Sequence, residues 1–135
     1  MQYALDTNTV IYLFRGEGAV ADRLLATPRS SIAVPAIVVY ELEVGIAKRP
    51  DANRRRAHLD QLLAATTVLP FGADEAAAAA QIRARLEAQG QRIGPMDTLI
   101  AATALRCGAT LVTRNTREFG RVDGLSVEDW YAPAA

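Results

Sequence analysis

Pro95-Met96-Asp97-Thr98-Leu99-Ile100-Ala101-Ala102-Thr103-Ala104-Leu105-Arg106-Cys107-Gly108-Ala109-Thr110-Leu111-Val112-Thr113-Arg114-Asn115 holds a helix, its stop and a strand in one run. Pro95 stands where a first helical residue is favoured, since its fixed φ suits the helix and its missing N–H would go unused there. The apolar and alanine-rich residues that follow predict a helix to Arg106, with Gly108 as its stop. Ala109-Thr110-Leu111-Val112 then reads as a buried strand, and Thr113 to Gly120 as a polar turn. A helix handed directly to a short apolar strand is the repeating half of an α/β fold.

The rest of the chain repeats that alternation. Tyr3-Ala4-Leu5 predicts a strand ending in Asp6-Thr7-Asn8, with Asn8 or Thr7 capping a short helix over Val10, Ile11, Leu13 and Phe14 that Gly16 closes. Further helices are predicted over Ala19–Ala26, Ala36–Ala47 (ended by Lys48-Arg49-Pro50), Asp51–Ala65 (opened by Asp51) and Asp74–Ala88, the last on alanine's propensity. Strands are predicted at Ser31-Ile32-Ala33-Val34, stopped by Pro35, at Val68-Leu69, and weakly near Leu125-Ser126-Val127. Gly90 to Gly94 reads as a loop. The expectation is a single domain over residues 1–135 with a mainly parallel central sheet of four to five short strands. There is no internal repeat, linker or low-complexity tract beyond the alanines.

Half of the residues are apolar and 22% are charged, as in globular domains, and the length of 135 residues can bury a core without disulfides or a structural metal. The single cysteine, Cys107, forms no internal disulfide, and the opening residues lack the pattern of a signal peptide, so a cytoplasmic location is expected. No apolar run is long enough to cross a bilayer. Fifteen basic residues balance fifteen acidic ones, which argues against a strongly basic, non-specific nucleic-acid binder. Fourteen of the fifteen are Arg, the better phosphate fork, and only Lys48 is Lys. If a group of acids is neutralised by metal, the remaining surface is net basic.

Ligands of open α/β sheets bind beyond the carboxyl ends of the strands. Asp6 and Thr113-Arg114-Asn115 lie at such ends, Asp97 falls in the first turn of its helix, and Glu41 lies in the helix after the second strand. Taken singly, Asp6 and Asn115 also suit turns, and Asp97 suits a helix N-terminus. Glu41 is different: Val38, Val39, Leu42 and Val44 surround it, and an acid on a largely apolar helix needs a partner or a function. Glu43 reads as a solvated charge, and Arg54-Arg55-Arg56 as a wet helix face or a substrate contact. Clustered carboxylates without accompanying His or Cys select Mg²⁺ or Mn²⁺ over Zn²⁺. The lone histidine, His58, is expected to face solvent. Such a metal activates water and offsets charge on a phosphoryl centre, so phosphodiester hydrolysis is the natural reaction class.

Together these stretches resemble the PIN-domain family, in particular its VapC-type toxins. Leu5-Asp6-Thr7-Asn8 is similar to that family's first motif, Glu41-Leu42-Glu43-Val44-Gly45 to its second, and Asp97-Thr98-Leu99-Ile100-Ala101-Ala102-Thr103-Ala104 to its third. Leu111-Val112-Thr113-Arg114-Asn115 with Glu118-Phe119 is similar to the last. The resemblance implies a three-layer α/β/α fold and a Mg²⁺- or Mn²⁺-dependent endoribonuclease, usually dimeric. Asp6 and Asp97 would be the principal metal ligands, and Glu41 would complete the cluster by ligation or by orienting the attacking water. Asn115 stands where many relatives have Asp, with Glu118 as a replacement carboxylate. Thr7 and Thr113 would support the ligands, and Arg114 would contact RNA. It further implies a VapB-like antitoxin, for whose groove the apolar helices around Val10–Phe14 and Val38–Ile46 are candidates beside ordinary core packing.

Two other classes compete. A small-molecule phosphatase would use the Asp as nucleophile with a second Asp two residues on, where this chain has Asn8. A non-catalytic PIN-like binding module would have no need of intact acids at Asp6, Glu41 and Asp97.

Overall fold

Five strands, all parallel, lie in the order β3-β2-β1-β4-β5 in the computed structural model, which describes residues 2–133. Met1, Ala134 and Ala135, the ends of the expected domain, fall outside the described residues. The strands are β1 (Tyr3–Leu5), β2 (Ile32–Pro35), β3 (Thr67–Leu69), β4 (Thr110–Val112) and β5 (Val127–Glu128). Between them run α1 (Thr7–Arg15), α2 (Val20–Leu25), α3 (Ala36–Ala47), α4 (Asn53–Ala65), α5 (Ala73–Ala88), α6 (Pro95–Arg106) and α7 (Thr116–Phe119).

Successive strand residues point to opposite faces. Ala4 and Leu5, Ala33 and Val34, and Leu111 and Val112 are all fully buried, so helices cover both faces of the central sheet. That is the three-layer α/β/α arrangement expected of a parallel sheet. Leu5, Ile32, Leu59, Ile100, Leu111 and Phe119 are its largest fully buried side chains.

Strand order decides where a site can form. From β1 the chain moves to β2 and β3 on one side, then returns to place β4 on the other side of β1. Tyr3 pairs with Thr110 and Leu5 with Val112, so β1 and β4 end level with each other at a topological switch point.

Several expectations shift. Asp6, rather than Thr7 or Asn8, caps α1, because its carboxylate reaches the Thr9 N–H at 2.8 Å. α4 begins at Asn53 after a turn at Ala52, and Asp51 is exposed outside it. The polar turn after β4 contains α7, anchored by the buried Phe119 and capped by Asn115. The last strand sits at Val127–Glu128, where pairing with Leu111 and Val112 fixes it. His58 is half-buried, its ring centroid 5.3 Å from that of Phe14. Glu43 is not free in solvent, since the Arg56 guanidinium holds it. Among the described residues no helix is long and apolar enough to cross a membrane.

Candidate active site at the ends of β1 and β4

Asp6 continues β1 into the switch point, its N–H donating to the Val112 carbonyl at 3.1 Å. The Thr9 hydroxyl donates to the same carbonyl at 3.1 Å, so the first turn of α1 is pinned to the end of β4. Capping leaves Asp6 only 6% exposed, at the positive end of α1. Burial pushes its carboxyl above the ordinary aspartate value and the Glu41 charge adds to this, while hydrogen bonds from Thr113 and Thr9 pull the other way. One residue therefore serves both as helix cap and as the innermost acid of the site.

Glu41 stands on α3, half-buried, and its Oε1 accepts the Thr7 hydroxyl at 2.6 Å. Asp97 occupies the first turn of α6, where Gly94 lies so close that an added Cβ would come 3.3 Å from the Asp97 Oδ2. Desolvation first, then the charges of Asp6, Glu41 and Glu118, raise the Asp97 carboxyl to about 6. Glu118 belongs to α7, where its Oε2 accepts the Asn115 amide at 3.0 Å and its N–H donates to the Asn115 Oδ1 at 3.5 Å. Asn115 therefore caps α7 and holds a carboxylate, which a second acid at that position would repel. Thr113, fully buried, accepts the Asn115 N–H at 3.0 Å and supports both Asp6 and this turn.

Asp6 just past β1, Glu41 on α3, Asp97 on α6 and Glu118 on α7 thus share one rim of the sheet, where the charges of the other three add to the burial that raises Asp97. Among the described residues, no three His, Cys, Asp or Glu side chains are grouped closely enough to enclose an ion unaided. Mg²⁺ is usually held by one or two carboxylates and keeps several waters. The donors are oxygens alone: His58 packs on Phe14, and Cys107 lies at the opposite end of α6 from Asp97. That donor chemistry fits a hard divalent cation.

Arg114 projects from the same rim, exposed, with its guanidinium 3.7 Å from the Tyr131 ring centroid and 5.7 Å from that of Tyr12. Neither tyrosine stands out in the sequence as part of a site, because each meets Arg114 only through the fold. Thr9 was also missed: Asp6 at a strand-to-helix junction is itself a capping signal, but the bond from the Thr9 hydroxyl to the Val112 carbonyl depends on β4 lying beside β1.

A family model described as "PIN domain" matches residues 3–125. The chain is 34% identical over 130 residues to the "tRNA(fMet)-specific endonuclease VapC" of Shigella flexneri, covering 96% of this chain and 98% of that protein. It is 33% identical over 132 residues to "Ribonuclease VapC2" of Rickettsia felis, with the same coverage. The fold superposes on VapBC2 of Rickettsia felis, crystallised with a DNA fragment from its promoter, at a TM-score of 0.88 and 32% identity, covering 96% of this chain and 99% of that one.

Proposed function

The chain belongs to the PIN-domain family, and from that premise we propose that it is an endoribonuclease toxin of the VapC type, dependent on Mg²⁺ or Mn²⁺. The observation that carries this reading is Asp97: half-buried, raised to about 6, and facing three further acids at the ends of β1 and β4. A cation relieves that repulsion, and the relatives matched along the whole domain bear ribonuclease names.

Asp6 and Asp97 would hold the metal, Asp6 locked by the Thr9 N–H and Asp97 set by the first turn of α6. Glu41, fixed by the Thr7 hydroxyl, orients the attacking water and takes up its proton. Mg²⁺ or Mn²⁺, when bound, acidifies water and offsets the charge that builds on the phosphoryl oxygens. Glu118, held by Asn115, completes the acidic rim, and Arg114, stacked on Tyr131, is offered to a substrate phosphate.

A VapB-like antitoxin is the partner this reading calls for, as in the Rickettsia felis complex. The surface that suits an apolar segment is a groove of about 880 Å³ lined by Leu13, Phe14, Leu24, Leu25, His58 and Leu62, with Leu25 77% exposed. It uses the end of α1 but opens onto α2 and α4, whereas Val38 and Leu42 of α3 are buried in the core. The active species is proposed to be a homodimer, which light scattering checks.

The test is cleavage of total bacterial RNA by the purified chain with Mg²⁺ or Mn²⁺, beside EDTA and Asp97→Asn controls. Discrete fragments that disappear in both controls are expected. No cleavage by metal-loaded protein, or undiminished cleavage by Asp97→Asn, would overturn the reading.

A further inference from the structure

We propose that Arg15, Arg49 and Arg55 form a cradle for the RNA phosphate backbone that leads the strand to Glu41 and the acidic rim. The three come from different elements: Arg15 ends α1, Arg49 follows α3, and Arg55 lies in the first turn of α4. They line one small groove, of about 80 Å³, together with Glu41 and Gly45. This inference rests on the ribonuclease reading and adds the path by which its substrate enters.

Charge is the first observation. Among the described residues none of the three arginines forms an ion pair, whereas the neighbouring Arg56 is held by Glu43 and Asp60. Glu41 shares the groove, yet its carboxylate is engaged by Thr7 instead. The arginines act on one another: burial first, then the charges of Arg49 and Arg15, lower the Arg55 guanidinium below its usual value. Arg55 is held in place from behind, its guanidinium 5.2 Å from the Phe14 ring centroid. Three guanidinium groups share a concavity with a single acid, Glu41, that forms no ion pair with any of them, so the excess positive charge suits an anion supplied from outside, and guanidinium forks match phosphate oxygens bidentately.

Gly45 is the second observation. It lies in the last turn of α3, exposed, where glycine is a poorer helix former than alanine, and an added Cβ would meet nothing within 4 Å. No packing inside the chain calls for glycine there. Its bare backbone leaves the groove floor open one turn from Glu41, where a polymer can lie close. A phosphodiester strand leaving the arginines would reach the acidic rim beside Glu41. The groove leads toward the rim where the ribonuclease reading places phosphodiester cleavage, and that continuity favours RNA over an acidic peptide as its occupant.

The experiment compares wild type, Arg15→Gln/Arg49→Gln and Arg15→Gln/Arg49→Gln/Arg55→Gln. Binding of a short fluorescein-labelled single-stranded RNA is followed by anisotropy in EDTA across a salt series, and cleavage kinetics are measured with Mg²⁺. The double variant leaves the Arg55–Phe14 contact intact, so it reports on binding even if the triple variant folds poorly. The expected result is RNA affinity reduced about tenfold or more, a salt slope shallower by roughly 0.7 per lost phosphate contact, and KM raised with kcat little changed. Gly45→Leu should likewise raise KM. Unchanged affinity and salt slope in variants that still cleave RNA would overturn the inference while leaving the ribonuclease reading intact. RNA binding retained with loss of antitoxin binding would assign the groove to an acidic protein instead. A wild type that cleaves no RNA would bring down the ribonuclease reading first.

Discussion

The Thr7 hydroxyl donates to the Glu41 Oε1 at 2.6 Å, joining the first residue of α1 to the middle of α3 across 34 positions of sequence. This bond is the direct link between the segment that supplies Asp6 and the helix that supplies Glu41, and it fixes the direction in which Glu41 presents its free oxygen.

Thr7→Val keeps the shape of the side chain and removes the donor. Hydrogen bonds to charged groups contribute about 1.5–3 kcal/mol, and because Glu41 is only half-buried we expect a stability loss below that range, about 1 kcal/mol, in urea unfolding. RNA cleavage should fall roughly tenfold in kcat, as about 1.4 kcal/mol of lost positioning implies. Thr7→Ser should retain most of the activity.

The pH dependence of the metal-free protein follows from Asp97. Its folded value, about 6, lies above the ordinary 3.8, so the folded state binds this proton more tightly than the unfolded state does. Stability from this group is present below the ordinary value, falls as pH rises through the window from 3.8 to about 6, and levels off above it. Asp6, also raised, acts in the same direction. In EDTA, the melting temperature should therefore be higher near about pH 5 than near about pH 7.5. Asp97→Asn should flatten this profile and raise the melting temperature near neutrality, although it abolishes cleavage.

How much of this could be read from residues alone depended on local punctuation. The expected bounds of α3 and α6 agree with the structure because Pro35, Pro95 and Gly108 mark their ends with backbone constraints that act locally. α7 was hidden because four residues carry no periodicity; only the burial of Phe119 reveals it. Asp6, Glu41, Asp97 and Asn115 were legible as candidates because strand ends and a lone acid on an apolar helix have local signatures. Their convergence was not, since it depends on β4 returning to lie beside β1. The Arg15–Arg49–Arg55 groove and the Tyr131–Arg114 stack are likewise products of topology, and read in sequence their members are ordinary surface residues.

Metal should stabilise most where the carboxylates are ionised. Added Mg²⁺ or Mn²⁺ should raise the melting temperature by several degrees near about pH 7.5 and by less near about pH 5, because protons compete for the same oxygens. Differential scanning fluorimetry of wild type and Asp97→Asn checks this; the variant should respond weakly at both.

Two glycines with similar backbone angles should respond differently to alanine. Gly16, at φ +67, caps α1 and an added Cβ meets nothing within 4 Å. Gly18, at φ +63, would place that Cβ 2.8 Å from both the ring and the backbone oxygen of Tyr131. Gly16→Ala should cost about 1 kcal/mol from left-handed strain alone, and Gly18→Ala at least about 2 kcal/mol. Urea unfolding separates the two. Gly18→Ala should also loosen the Tyr131 support of Arg114 and raise KM for RNA.

The central claim is that the acids at the ends of β1 and β4 hold the cation that cuts RNA. Mn²⁺ binding followed by electron paramagnetic resonance near about pH 7.5, with RNA cleavage assayed on the same samples, tests it most directly. The account predicts that wild type binds Mn²⁺ and cleaves in proportion to occupancy, and that Asp6→Asn and Asp97→Asn lose both while remaining folded. Cleavage that persists in EDTA at zero occupancy, or Mn²⁺ bound equally well by both variants, would contradict it.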